Sequence, residues 1–173
     1  AGQRLRMAEK RPFGAPDLKQ HAQLARLADN SGFRALWVRD VPVYDPSFGD
    51  AAQVFEIFSY LGYLAGITQN IMLGTAAVVL PLRQPWLTLK AANSIDELSE
   101  GRLLLGVASG DRPMEYPLFG VDYDQRGALF RSTVELLKSQ GIRRLPEGAQ
   151  LLPQREEPFP LLVAGLGQQS PTW

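Results

Sequence analysis

Four short groups of residues in this chain have side chains or backbone groups suited to chemistry, and the first is an adjacent acid and base. Arg39 and Asp40 place a guanidinium and a carboxylate in one loop. A carboxylate there can orient a substrate hydroxyl or relay a proton, but the two residues can equally form a structural ion pair. We name Asp40 and Arg39 as candidate catalytic residues and keep both interpretations open.

The second group is the run Ser109-Gly110-Asp111-Arg112, which combines a hydroxyl, a flexible backbone and a guanidinium. Arginine offers two parallel N–H donors to phosphate oxygens, and a glycine lets backbone N–H groups approach an anion closely. The run therefore predicts a phosphate site made by Ser109, Gly110 and Arg112. The alternative is an ordinary surface ion pair between Asp111 and Arg112.

The third group lies near the end of the chain, where residues 165–170 run from a predicted strand into a predicted helix. The first N–H groups of a helix have no partners within the helix, so such ends bind anions. A Gly-x-Gly sequence by itself is more often a simple turn. The candidate cofactor-binding residues are Gly165, Gly167, Gln168 and Ser170.

The fourth group is the pair Ala76-Ala77, which interrupts a run of isoleucine, leucine and valine residues. Two consecutive residues with almost no side chain leave a shallow surface on which a flat ring could lie against the backbone. The alternative is that the two alanines fill a narrow part of the core.

Hydrophobic periodicity predicts the elements that must position these groups. Strands are expected at residues 34–38, 70–80, 102–108 and 161–164, and a helix precedes or follows each of them. The expected helices begin at Asp17, at about residue 50, at Pro85, after about Asp124 and at Ser170 with Pro171. Asp17 is the predicted N-cap of the first helix, whose predicted apolar face is Leu24, Leu27, Ala28 and Ser31. Repeated helix-strand order and nearly continuous apolar strands favour a parallel sheet of the α/β class. The candidate groups then lie at strand ends or within a strand.

Composition excludes several classes of function. The chain has 173 residues, of which 45% are hydrophobic, and its formal net charge is zero, so binding to nucleic acid or to an anionic membrane is not expected. It has no cysteine and a single histidine, His21, which excludes disulfides, thiol catalysis and a histidine-rich metal site. The longest apolar stretch is too short to span a membrane, so we expect a cytoplasmic protein.

Five segments, in order, resemble the bacterial luciferase family of flavin-dependent monooxygenases over about residues 16–173. They are GTAAVVLP from residue 74, Pro85, IDELSEGR from residue 95, LGVASG from residue 105 and FGVD from residue 119. The resemblance implies a (β/α)8 TIM barrel with FMN or a deazaflavin at the carboxyl-terminal ends of the strands.

The resemblance also implies roles for individual residues. The Ala76-Ala77 bond would be a cis peptide beneath the flavin, and the segment at residues 165–170 would surround the flavin phosphate with N–H groups and the Ser170 hydroxyl. Bacterial luciferase has an arginine where this chain has Ser109, so Ser109 or Arg112 would complete the phosphate contact. Many relatives have a histidine near the position of Asp40, so the chemistry of luciferase does not transfer directly.

Length is where the chain departs from the family, because a complete barrel takes roughly 250 residues. We therefore predict an N-terminal arm at residues 1–15 and a partial barrel at residues 16–173 with four recognisable strands, and we favour the interpretation that segments are missing. The expected function is an FMN-dependent monooxygenase that receives reduced flavin from a separate reductase and oxidises a small organic molecule. The alternatives are a deazaflavin-dependent hydride-transfer enzyme and a non-catalytic flavin-binding or subunit-forming protein.

The helix expected at residues 50–68 carries more large apolar side chains than one barrel face needs, so we expect a homodimer that pairs through it. His21 is expected to be a solvated surface residue. We assign the aromatic residues of this region to the core or to a subunit contact rather than to a flavin-stacking site; they are Phe55, Phe58, Tyr60 and Tyr63.

Overall fold

The computed structural model describes residues 16–48 and 53–165. The predicted arm at residues 1–15 and the helix expected at Ser170 and Pro171 lie outside these residues. Four helices and five strands alternate along the described chain. They are α1 (His21–Asn30), β1 (Ala35–Val38), α2 (Ile57–Ile67), β2 (Met72–Thr75), β3 (Val78–Val79), α3 (Pro85–Leu98), β4 (Leu103–Ala108), α4 (Arg126–Ser139) and β5 (Leu161–Ala164).

All strand pairs are parallel, which confirms the predicted α/β class. β1 pairs with β2 from Ala35 opposite Met72 to Val38 opposite Thr75. β2 and then β3 pair with successive parts of β4, and β5 pairs with β4 at Leu105 to Ala108. The order across the sheet is β1-β2-β4-β3, and β5 also pairs with β4. Helices connect β1 to β2, β3 to β4 and β4 to β5, as parallel strands require.

The strand predicted at residues 70–80 is in fact two strands, and Thr75 explains the break. Its hydroxyl donates to the carbonyl oxygen of Gly106 at 2.7 Å and accepts the N–H of Gly106 at 2.8 Å, so a side chain replaces the backbone ladder. A Cβ on Gly106 would collide with the carbonyl oxygen of Thr75, so only glycine fits there. The Ala76-Ala77 peptide bond that follows is cis, as the resemblance implies.

The core lies between the sheet and helices α2, α3 and α4. The strands contribute buried residues such as Leu73, Val78 and Leu105, as expected for strands covered by helices. The helices contribute residues that are equally buried; these are Leu61, Leu64, Leu89, Ala92, Leu136 and Leu137. No helix of the described residues is both long enough and apolar enough to cross a membrane.

Helix α1 differs from its prediction in both its start and its buried face. It begins at His21, and the carboxylate of Asp17, the predicted N-cap, accepts the N–H of Lys19 instead. The predicted apolar face is wrong because Leu24 and Leu27 are 56% and 59% exposed. The helix turns Asp29 inward instead, since three backbone N–H groups next to β2 bind its carboxylate.

Helix α2 begins seven residues later than predicted, at Ile57, because Glu56 supplies its cap. The Glu56 carboxylate accepts the N–H of Ser59 at 2.8 Å. His21 is half-buried rather than solvated: its ring lies within 6 Å of the rings of Phe55, Tyr60 and Tyr63, and its Nδ1 is 3.1 Å from the Tyr60 hydroxyl.

Candidate functional site

A cavity of about 560 Å³ opens where the carboxyl-terminal ends of the strands meet. Residues after β1, between β2 and β3, and at the ends of β4 and β5 line it. This edge of a parallel sheet is where α/β proteins bind ligands, because the loops there can vary while the strands hold them in place. The sequence-predicted residues that line the cavity are Arg39, Asp40, Ala76, Ala77, Gly110, Arg112 and Gly165.

Alanines form the floor of this cavity. Ala76 is exposed to it and Ala77 is half-buried, because the break between β2 and β3 brings both to the sheet edge. Ala108 and Ala164 are register partners in β4 and β5, and they line the same cavity. Of these alanines, only Ala76 and Ala77 were predicted from the sequence. Ala108 and Ala164 could have been found in the same way, because each ends a predicted strand directly before a small residue.

Asp40 is held by Arg83, a residue that the sequence analysis did not identify. Its carboxylate accepts Nη2 of Arg83 at 2.7 Å, Nε of Arg83 at 3.0 Å and the N–H of Val79 at 2.9 Å. Arg83 also donates to Glu56 at 2.9 Å. Burial alone would lower the pKa of Arg83, but hydrogen bonds and the charges of Asp40 and Glu56 raise it above its ordinary value. Asp40 therefore fastens the end of β1 to β3, and its catalytic role stays a prediction.

Arg112 is a buried residue of the cavity wall rather than a surface residue. It is 7% exposed, and its guanidinium lies 4.4 Å from the ring centroid of Phe48, whereas Asp111 is exposed. Stacking on an aromatic face holds a guanidinium in a fixed plane while its N–H groups remain directed outward from the ring edge.

A second stacked arginine, Arg126, lines the cavity and was missed. Its guanidinium lies 3.9 Å from the ring centroid of Tyr123, and its Nη1 donates to the Tyr123 carbonyl at 3.0 Å. Arg126 is the first residue of α4, where the helix dipole disfavours a cation. An arginine at the start of a predicted helix could have indicated an anion site, because a bound anion would offset the unfavourable interaction between the arginine and the helix dipole.

The loop after β4 folds tightly against β3. Gly110 has a φ of +80°, and a Cβ there would collide with the Tyr116 hydroxyl and lie 2.7 Å from Val79 Cγ1. Tyr116 is fully buried, and its hydroxyl donates to the carbonyl oxygen of Ser109. Burial raises the pKa of Tyr116 to about 12, so the hydroxyl keeps its proton at neutral pH. Among the described residues, Ala108 and Gly110 line the cavity and Ser109 between them does not.

Glu115 is a buried acid in the cavity wall, with an exposed fraction of 2%. Burial raises its pKa, and the charge of Arg112 and a backbone hydrogen bond from Val43 only partly oppose that shift. Its Oε1 has no hydrogen-bond partner among the described residues. Nothing in the sequence separates this glutamate from an ordinary surface acid.

Gly165, the first residue of the predicted phosphate loop, lines the cavity, whereas Gly167, Gln168 and Ser170 lie outside the described residues. Because Ala108 pairs with Ala164, the loops after β4 and β5 leave the sheet side by side. The predicted convergence of Ser170 with Ser109 or Arg112 on one phosphate stays a prediction.

Comparison with known proteins gives a family match over most of the chain. Residues 3–170 match the family model described as luciferase-like monooxygenase. The alkanal monooxygenase alpha chain of Photorhabdus laumondii is 28% identical over 122 residues, which are 70% of this chain and 33% of that protein.

Two solved structures share the fold. The oxygenating constituent of 3,6-diketocamphane monooxygenase from Pseudomonas putida, in complex with FMN, matches with a TM-score of 0.60 and 17% identity over 75% of this chain and 37% of that one. A secondary alcohol dehydrogenase that depends on the deazaflavin F420, in complex with an F420-acetone adduct, matches with a TM-score of 0.65 and 20% identity over 83% and 47%. The chain thus spans a third of the curated relative and less than half of each solved structure.

Proposed function

Because this chain belongs to the luciferase-like monooxygenase family, we propose that it forms the cofactor half of an FMN-dependent monooxygenase that oxidises a small organic molecule. The luciferase-like (β/α)8 barrel is the fold of the family, and the described strands form part of it. The observation that carries the proposal is the cavity at the carboxyl-terminal strand ends, which joins an alanine floor to arginine-lined walls.

The residues of the cavity fit the two parts of such a cofactor. A planar ring needs a flat surface without large side chains, and the four alanines at the sheet edge provide one. A phosphate needs donors, since burying it without partners would cost several kcal/mol. Arg112 and Arg126 supply guanidinium groups, and Gly110 lines the same cavity.

The chain's own residues would bind and orient the cofactor and keep water from one side of it. A reduced flavin bound there would supply the two electrons with which one atom of O2 enters the substrate and the other leaves as water. A small apolar cluster of Val79, Leu82 and Tyr116 packs behind the wall and limits water there. Arg39 and Asp40 remain the residues proposed to orient the substrate, and Arg83 holds the Asp40 carboxylate at the cavity edge.

A deazaflavin-dependent hydride transfer is the second candidate function. The observation in its favour is the fold shared with the deazaflavin-dependent alcohol dehydrogenase, whose TM-score of 0.65 exceeds the value of 0.60 for the FMN-bound monooxygenase. The ring floor would serve either cofactor equally well.

We further propose two partners, a separate reductase that supplies reduced flavin and a second copy of this chain. Part of the aromatic set lies in the core, since Phe58 is only 9% exposed, but Phe55 and Tyr63 are 38% and 44% exposed beside the exposed Leu24 and Leu27 of α1. A second chain covering this surface would give a homodimer. Light scattering at micromolar concentration should return twice the chain mass, and a monomer mass would contradict the pairing.

Spectroscopic titration tests the cofactor assignment. The protein is mixed separately with FMN, riboflavin and the deazaflavin cofactor, and the change in ligand fluorescence gives each dissociation constant. Tight FMN binding together with oxygen consumption when reduced FMN is supplied supports the monooxygenase. Preferential deazaflavin binding supports the hydride-transfer enzyme. A protein that binds none of them is the non-catalytic alternative.

The FMN-to-riboflavin affinity ratio isolates the phosphate site, because riboflavin lacks the phosphate. We expect Arg112→Met to reduce that ratio at least tenfold while riboflavin binding changes little. Arg144→Met, in which an arginine side chain 51% exposed is replaced, is the matched control and should leave the ratio unchanged. An unchanged ratio in a folded Arg112→Met protein would contradict the proposed role of Arg112.

A further inference from the structure

Glu115 is a buried acid of the cavity wall for which the proposed function so far gives no role. It is 2% exposed, and its Oε1 has no hydrogen-bond partner among the residues that the structure describes. Buried polar atoms in folded proteins almost always have a partner, and an exception calls for an explanation such as a ligand. Because Glu115 lines the cavity, a molecule bound there is the nearest source of the missing partner.

The position of Glu115 is fixed by its own segment. Its N–H donates to the Arg112 carbonyl at 3.1 Å, and its carbonyl accepts the N–H of Leu118 at 3.1 Å. The Glu115 carboxylate accepts the backbone N–H of Val43 in the loop after β1. A side chain held between two loops in this way is pre-organised, so little conformational entropy is lost when it contacts a ligand.

The charges around Glu115 decide whether it carries a proton. Arg112 favours the ionised form, whereas burial, Asp40 and Asp111 favour the neutral form, and the net effect raises the pKa of Glu115. The other ionisable residues that line the cavity are Arg39, Tyr123 and Arg126, and Tyr116 is the next residue in the chain. A neutral carboxyl group has an O–H that can donate a hydrogen bond, which the ionised group cannot do.

We propose that Glu115 donates a hydrogen bond from its partnerless oxygen to a carbonyl oxygen at the edge of the ring bound over Ala76 and Ala77. The inference rests on the proposed function, because that function places a flavin-type ring in the cavity. It applies to FMN and to a deazaflavin alike, since both rings carry carbonyl oxygens. Glu115 is then a residue that binds and orients the ring, and its protonation links ring affinity to pH.

Two substitutions separate the donor from the charge. Glu115→Gln keeps a donor and is never ionised, whereas Glu115→Leu has a similar size and no donor. At pH 4.5, where the raised pKa keeps Glu115 protonated, we expect ring affinity in Glu115→Gln within about twofold of wild type, and in Glu115→Leu about tenfold weaker, which is the loss of one buried hydrogen bond. Fluorescence titration with FMN, riboflavin and the deazaflavin cofactor measures these affinities.

The pH dependence of ligand affinity distinguishes a hydrogen-bond donor from a purely structural residue, because a purely structural role of Glu115 would not make affinity depend on its protonation. As pH rises from 4.5 through the raised pKa of Glu115, the wild-type protein should lose affinity as Glu115 ionises, whereas Glu115→Gln should not. Because the phosphate of FMN itself titrates near pH 6, the quantity compared is the ratio of the two proteins' affinities at each pH. Glu135→Gln, the same change at an α4 side chain that is 71% exposed, is the control and should follow wild type.

The outcomes separate this inference from the proposed function. A wild-type protein that binds neither FMN nor the deazaflavin overturns the proposed function, and this inference with it. Ring binding by wild type that is the same in both Glu115 variants, or that has the same pH profile in wild type and Glu115→Gln, overturns this inference alone. If Glu115→Leu does not fold, as near-ultraviolet circular dichroism would show, the pH comparison with Glu115→Gln still decides.

Discussion

The two edges of the sheet hold buried charges in different ways. At the amino edge, where the strands begin, all five N–H donors of Arg102 have acceptors among Ala65, Thr68, Ile71 and Ser99, at distances from 2.7 to 3.1 Å. At the carboxyl edge, where the strands end, Glu115 is more deeply buried than Arg102 and keeps an oxygen without a partner among the described residues. The difference indicates that Arg102 serves the fold and that Glu115 leaves room for a ligand.

Asp29 completes the amino edge in the same manner. Its carboxylate accepts three backbone N–H groups, from Gln69, Asn70 and Ile71, at 2.7 to 2.9 Å. Burial acts to raise its pKa, but these hydrogen bonds and the charge of Arg102 outweigh burial and lower it. Asp40 shows that the carboxyl edge also contains a fully held acid, so incomplete hydrogen bonding there is a property of Glu115 and not of the whole edge.

Removing Arg102 should have the largest effect on stability. Arg102→Met deletes five hydrogen bonds and leaves buried carbonyl oxygens without donors, so we expect the free energy of unfolding to fall by about 4 kcal/mol. Arg102→Lys keeps the positive charge but not the planar set of donors, so its free energy of unfolding should lie between those of wild type and Arg102→Met. Urea denaturation measures the change. A loss below about 1 kcal/mol in Arg102→Met would contradict a structural role for the amino edge.

Asp29→Asn should lower the free energy of unfolding by about 2 kcal/mol at pH 7. In wild type both carboxylate oxygens accept backbone N–H groups, and in the variant the amide N–H₂ would face one of these donors. The sign with pH follows from the lowered pKa. A folded-state pKa below the unfolded value of 3.8 makes the contribution of Asp29 complete above that value, and the contribution is lost as pH falls through the folded pKa. Urea midpoints of the two proteins should therefore converge as pH falls below 3.8. A gap that persists at the lowest pH would contradict the assignment to the carboxylate.

At the carboxyl edge, the prediction concerns binding rather than stability. Ala77→Leu places a larger side chain on the cavity floor, so FMN affinity should fall at least tenfold, or about 1.4 kcal/mol. Ala77 is only half-buried and faces the cavity, so the urea midpoint should change little. Ala149→Leu, at an exposed alanine far from the strand ends, is the control. Undiminished FMN binding in a folded Ala77→Leu protein would contradict the placement of the ring.

The sequence predicted the framework of both edges but not the way in which their charges are held. The strand at Leu103–Ala108 and the parallel sheet followed from apolar runs between turn signals, because a buried strand leaves a strong apolar pattern. The pair Ala76-Ala77 was identified because two small residues interrupt such a run. The break in the strand at that pair was not predicted, since it depends on the Thr75 hydroxyl reaching Gly106, 31 residues away.

The charged residues were harder to interpret because their partners are distant in sequence. Asp40 was read with its neighbour Arg39, but the hydrogen bonds found in the structure come from Arg83 and Val79. Asp29 was not identified from the sequence, because its partners lie 40 to 42 residues away. The periodicity of apolar residues predicts which face of an element is buried. It does not predict which charged side chains are buried or which groups form hydrogen bonds with them.

Glu115→Gln is expected to have the smallest effect on stability. It allows the most direct comparison of the two edges, because Asp29→Asn is the same acid-to-amide change at the amino edge. The raised pKa of Glu115 has the opposite sign to that of Asp29: below 4.5 Glu115 is protonated in both the folded and the unfolded states, and as pH rises the unfolded chain loses its proton first. Wild-type stability should therefore decline from about pH 4.5 through the folded pKa, a decline that Glu115→Gln lacks.

At pH 8 we expect Glu115→Gln to be equal to wild type in its free energy of unfolding, or more stable by less than about 1 kcal/mol, whereas Asp29→Asn is less stable than wild type. If Glu115→Gln instead destabilises the protein as much as Asp29→Asn does, the Glu115 carboxylate is a structural anchor, and the distinction between the two edges fails.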